Sequence, residues 1–103
     1  MNDIAVTKRS DGVFDVTVDS GSGATRHEVT IPREMIDSFA GPVDETRFVR
    51  ESFVFLLERE PARSILRRFS LDVISKYFPE YRDEMAKRRA TFEVEGRPNV
   101  DDG

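Results

Sequence analysis

Apolar residues alternate with polar ones through the first third of the chain and recur at helical spacing through most of the rest. Residues 4–8 are a short β-prone run. Ser10-Asp11-Gly12 after it signals a tight turn, because glycine accepts φ > 0. Over 13–18, Phe14, Val16 and Val18 alternate with Val13, Asp15 and Thr17, a period of two with one apolar face. Ser20-Gly21-Ser22-Gly23 reads as a flexible loop, and alternation resumes over 27–31 with Val29 and Ile31 inward. The pattern predicts a three-stranded antiparallel β-meander over 4–31. Three bare strands are barely stable alone, so one face must be covered.

The second part of the chain supplies the cover. Pro32 suits the first turn of a helix, where its missing N–H costs nothing. A short helix over 33–39 would carry Met35, Ile36 and Phe39 on one face and end at Gly41-Pro42. Asp44 is placed to cap a central helix over 44–60, with Phe48, Val49, Ser52, Phe53, Leu56 and Leu57 as its core-facing stripe. Val54 and Phe55 widen that stripe until the helix is apolar nearly all round. Pro61 opens a third helical segment carrying Ile65, Leu66 and Phe69. Ser70 caps a fourth with Leu71, Val73, Ile74, Tyr77 and Phe78, which Pro79 interrupts. Residues 80–89 form a polar helix with Asp83/Lys87 and Glu84/Arg88 in the favourable i, i+4 order.

These elements predict an α+β fold: the meander followed by four to five helices packed on the sheet. Its core is expected to include Val6, Phe14, Val16, Val18, Val29, Ile31, Met35, Ile36, Phe39, Val49, Phe53, Leu56, Leu57, Ile65, Leu66, Ile74 and Phe78. The 103 residues suit one domain, placed at 1–90. Residues 91–103 read as a disordered C-terminal tail, with a strand at 91–95 as the less favoured reading.

Composition narrows the chemistry. The chain has no cysteine, which excludes disulfides, thiolate metal sites and a cysteine nucleophile. The N-terminus lacks the apolar stretch of a signal peptide. The longest apolar run, 53–57, falls far short of the roughly 20 residues that span a bilayer. A cytoplasmic protein without membrane contact is expected. The net charge of −4 disfavours wholesale attraction to nucleic acid.

No residue pattern marks a catalytic, cofactor or metal site. His27, the single histidine, has no companion nucleophile and reads as a strand-end residue at the edge of the apolar side. The abundant carboxylates read as solvated faces. The 20–25 loop lacks the strand-to-helix setting and the Gly-Lys-Ser/Thr of a phosphate cradle. Basic residues gather in the second half, and Arg63, Arg67, Arg68, Lys87, Arg88 and Arg89 form the candidate nucleic-acid or anion surface. Phe48, Phe53, Phe55, Phe69, Tyr77, Phe78 and Tyr81 give the helical part more aromatic bulk than a three-stranded sheet can cover. Either the helices bury one another or a second copy covers the excess. Three strands before the helices do not fit a ribbon-helix-helix repressor, and no helix precedes them as a double-stranded-RNA-binding domain requires.

The expected function is a non-catalytic protein-interaction module, with a protein partner or itself as a homodimer. A nucleic-acid binder using the Arg-rich helical surface is the alternative. A hydrolase or transferase built on His27 with a carboxylate is the third reading.

Overall fold

The alternating stretches become strands β1 (Asp3–Ser10), β2 (Val13–Asp19) and β3 (Ala24–Thr30) in a computed structural model that describes residues 3–21, 23–38 and 43–92. The three pair antiparallel, with Val16 opposite both Val6 and His27. The β1–β2 turn needs its glycine. Gly12 sits at φ 73, and a Cβ there would lie 3.3 Å from the Ile31 carbonyl oxygen. The Gly12 carbonyl in turn accepts the Ile31 N–H at 2.8 Å.

Alternation assigns the two faces of the sheet. Phe14, Val16, Val18, His27 and Val29 are buried on the inner one. Asp15 and Glu28 stand directly opposite each other on the outer one, a like-charge pair that by itself destabilises. Arg9 offsets it by donating to Asp15 at 3.0 Å and to Glu28 at 3.2 Å.

The inner face is covered by α2 (Glu45–Leu57), which follows the short α1 (Arg33–Asp37). Asp44 caps α2 as its position suggests, accepting the Arg47 N–H at 3.1 Å. The broad apolar girth of α2 is used on several sides. Phe53 faces the sheet, with its ring 5.3 Å from His27. Phe55 faces the other way, 6.0 Å from Phe78 and 5.2 Å from Tyr81. Phe48 meets Phe92 at 5.0 Å. These partners lie on or beside α3 (Ile74–Tyr77), α4 (Tyr81–Lys87) and α5 (Arg89–Phe92). The aromatic excess around α2 is therefore buried by the chain's own helices. Each fully buried Phe contributes roughly 1.5–3 kcal/mol relative to exposure.

Two guanidinium groups fasten the exposed end of this helical layer. Arg59 lies over the Phe55 ring, 3.6 Å from its centroid, and donates to Glu80 at 2.9 Å. That hydrogen bond holds the Glu80 carboxyl below its ordinary value. Arg88 donates to Glu58 at 2.7 Å and lies 3.7 Å from Glu51 and 3.6 Å from Glu84.

The structure corrects the reading of 61–70. The expected third helix is a single 3₁₀ turn, Ala62–Ser64, followed by extended chain and a fourth strand, β4 (Arg68–Ser70), parallel to β3. Ile65 and Phe69 are spaced four apart, as on a helix, but an even spacing also suits one side of a strand. So short a run does not decide between the two. The open edge of β3 decides: the Glu28 N–H donates to the Arg67 carbonyl at 2.7 Å, and Val29 pairs with Phe69. Leu66 accordingly leaves the expected core and is 52% exposed.

Other expectations shift in detail. Ser70 makes no side-chain cap, and a 3₁₀ turn, Leu71–Val73, precedes α3. Lys87 pairs with Glu84 at 3.5 Å, within one turn of α4. Thr91 and Phe92, assigned to the tail, close α5, and Phe92 is 1% exposed. Its ring is a necessary part of the cover over Phe48. Residues 93–103 lie outside the described residues, as do Phe39 and Gly41-Pro42.

The result is an α+β fold with a mixed four-stranded sheet in the order β1-β2-β3-β4 and five helices among the described residues. None of those helices is long and apolar enough to cross a membrane.

Candidate functional site

The unexpected strand creates the most distinctive surface feature. A pocket of about 270 Å³ opens between the end of α2, the 64–66 segment, β4 and α3. Leu56, Ile65, Phe69, Val73, Ile74 and Phe78 supply its apolar walls, and Leu66 and Tyr77 stand at its sides. At 52% and 68% exposure these two are the exposed large hydrophobics among the described residues, and both belong to this one pocket. Apolar residues scattered singly need no explanation, whereas two converging on a concave wall mark a place where apolar matter can sit. The polar groups in the lining come from Ser64 and Glu60. Partial burial raises the Glu60 carboxyl above its ordinary value, because its charged form is poorly solvated.

Local chain geometry explains why the pocket is open. After α2 the chain turns at Pro61, where the Ser64 N–H donates to the Pro61 carbonyl at 2.9 Å. Pro79 stops the helical path after Phe78, so α4 starts afresh at Tyr81 and leaves Tyr77 without a covering element among the described residues.

His27 holds one wall in place. It is 3% exposed, with Nδ1 2.8 Å from the Leu66 carbonyl and Nε2 2.8 Å from Thr25 Oγ1. A carbonyl can only accept, so Nδ1 carries the proton and Nε2 accepts from the threonine hydroxyl. Neither ring nitrogen meets a carboxylate. Nothing in this geometry makes His27 a general base with an acid partner, and its evident work is to tie β3 to the 64–66 wall.

Burial lowers the His27 pKa, with the Leu66 hydrogen bond opposing and nearby Arg67 assisting. The unfolded chain takes up a proton near the ordinary value of 6.5, and the folded chain only at lower pH. Stability is therefore full above that value and falls as pH drops through it toward the folded pKa. Urea unfolding at about pH 7.5 and about pH 5.5 should show the loss, and His27→Gln should reduce the difference between the two. An unchanged pH difference in that variant would remove His27 as its cause.

The candidate cations fall into two groups. Arg63 lies in the 3₁₀ turn, and Arg67 and Arg68 lie at β4, where they line a depression of the outer sheet face with Arg26 and Glu28. Lys87, Arg88 and Arg89 lie at the junction of α4 and α5. The first part of the expected Arg-rich helical surface is turn and strand rather than helix. Arg88 is taken up by Glu51, Glu58 and Glu84, and Lys87 by Glu84. Arg68 is 3.7 Å from Glu28 with its side chain 82% exposed. Arg63 and Arg67 form no ion pair among the described residues.

Sequence reasoning named neither the pocket nor its polar group. Glu60 falls among the carboxylates that read as solvated faces, and Leu66 reads as core. The available signal is Ile65-Leu66 in a stretch that is also compatible with strand alternation, where one of two adjacent apolar residues must face out.

The chain matches no protein-family model, no curated protein and no solved structure. Function therefore rests on the geometry of this site.

Proposed function

We propose that the protein is a non-catalytic interaction module that holds a protein partner by seating an apolar side chain between Leu66, Phe69 and Tyr77. The observation that carries this is the convergence of the exposed large hydrophobics, Leu66 and Tyr77, on one apolar pocket. A volume near 270 Å³ suits one aromatic or large aliphatic side chain rather than an extended cofactor. Fully desolvated aromatic anchors of this kind carry much of the energy in protein interfaces. A homodimer is one form of the same role, but the aromatic bulk of α2 gives it no support, being buried within the chain.

The test is titration with N-acetylphenylalanine amide, followed by NMR of the amide and methyl groups. Shifts should concentrate at Leu66, Phe69 and Tyr77 and disappear in Leu66→Asp. That variant should remain folded, with stability within about 0.5 kcal/mol of the parent, because the side chain is exposed. Shifts scattered over the surface, or unaffected by Leu66→Asp, would overturn the reading.

A further inference from the structure

We infer that the partner is an extended segment in which a large apolar residue alternates with carboxylates, bound as an added strand along the open edge of β4. This rests on the docking role of the pocket and specifies what docks there.

The edge itself is the first observation. β4 ends the sheet among the described residues and has a strand neighbour on one side alone. The Arg67 carbonyl accepts from Glu28, and Val29 pairs with Phe69, so Arg67 and Phe69 present their backbone groups to β3. A strand alternates the direction of its N–H and C=O groups from residue to residue, so those of Arg68 point to the open edge. An extended peptide can complete this edge with main-chain hydrogen bonds, the recurrent mode of strand addition.

The two sides of the edge are the second observation. On the inner side lies the apolar pocket, walled by Phe69 and flanked by Leu66. On the outer side Arg68, paired with Glu28, lines an open depression that Arg67, the residue before β4, also borders. Arg67 forms no ion pair among the described residues, and Arg68 has a single long one with Glu28. Successive side chains of an added strand point to opposite faces. One apolar residue facing the pocket therefore places its two neighbours over the arginines. Carboxylates there match the guanidinium groups, and basic neighbours are repelled. A short, arginine-bearing edge also resists indiscriminate strand pairing, so charge selects what may add.

The probes are short acetylated and amidated peptides with a central phenylalanine and alternating valines. The intervening positions are Glu in one peptide, Gln in the second and Lys in the third. The Glu peptide should bind best and the Lys peptide worst, with added salt narrowing the gap. Amide signals of Arg68 and Ser70 should shift together with those of Leu66, Phe69 and Tyr77. The double variant R67E/R68E should weaken the Glu peptide by roughly three- to tenfold and favour the Lys peptide. R67A/R68A, which adds no charge beside Glu28, should abolish the preference between them.

Equal binding of all the peptides, or binding that leaves Arg68 and Ser70 unmoved, overturns the strand-addition proposal. The docking role survives in that case if N-acetylphenylalanine amide still shifts the pocket signals. Silence from every peptide and from that amide overturns both. Tighter binding of a single-stranded oligonucleotide at Arg67 and Arg68, in competition with the Glu peptide, overturns it in favour of nucleic acid. Light scattering that shows self-association excluding the peptide overturns it in favour of a second copy.

Discussion

Replacing Phe92 by alanine should cost about 3–5 kcal/mol of folding stability. Its ring is 1% exposed and meets Phe48 edge-on at 5.0 Å. The backbone is fixed at the same place, because the Asp44 N–H donates to the Phe92 carbonyl at 2.7 Å, at the residue that caps α2. Removing the ring leaves a cavity between the start of the central helix and its last cover, and the backbone tie prevents an easy collapse into it. A small domain has about 5–15 kcal/mol in total, so the variant should approach the unfolding threshold at moderate temperature. Urea unfolding measures this as a fall in midpoint at constant slope. A loss under about 1 kcal/mol would mean that α5 is not part of the core.

The second large effect should come from a pair buried deeper. Ser52 is fully buried and donates its hydroxyl to the Phe48 carbonyl at 2.9 Å. Tyr81 Oη lies 2.7 Å from Ser52 Oγ. The serine has one hydroxyl hydrogen and has already used it, so the tyrosine donates and the serine accepts. Burial raises the Tyr81 pKa and keeps the phenol protonated. Ser52→Ala leaves that donor without its acceptor inside the core and should cost about 1–3 kcal/mol. Tyr81→Phe removes the donor itself and leaves the Ser52 bond to Phe48 intact, so it should cost about 0.5–1.5 kcal/mol. The order of the two losses in parallel urea melts is the diagnostic result. A larger loss in Tyr81→Phe would reverse the assigned direction of the hydrogen bond.

Both effects involve residues outside the expected core, for a shared reason. Phe92 follows a polar helix and precedes a Gly- and Pro-containing stretch, so its own neighbourhood reads as a tail. Tyr81 stands in a charged segment, and its burial depends on α4 crossing Phe55 of α2. Local pattern reports which face of an element is apolar. It does not report how many other elements will come to that face.

The meander was legible because each of its strands has one wet face, and a period of two is then written directly in the side chains. The cap at Asp44, the helix stop at Pro79 and the tight turn at Gly12 were legible because they depend on the chemistry of one or two residues. β4 was not. Its three residues carry helix and strand patterns at once, and only the unsatisfied edge of β3, joined by the His27 tie to the Leu66 carbonyl, selects the strand.

The candidate site follows the same division. The sequence alone determined that the chain has one histidine, no cysteine and a surplus of arginine, and that an α+β domain would form around Phe14, Val16, Phe53 and Leu56. Only the tertiary structure decided that Leu66 and Tyr77 face a common pocket, that Arg67 and Arg68 lie at a strand with one strand neighbour among the described residues, and that Arg88 is consumed by its own acids. Turns, caps and alternation are governed by neighbours along the chain. A pocket is governed by residues brought together from α2, β4 and α3, and their meeting depends on the packing of the whole.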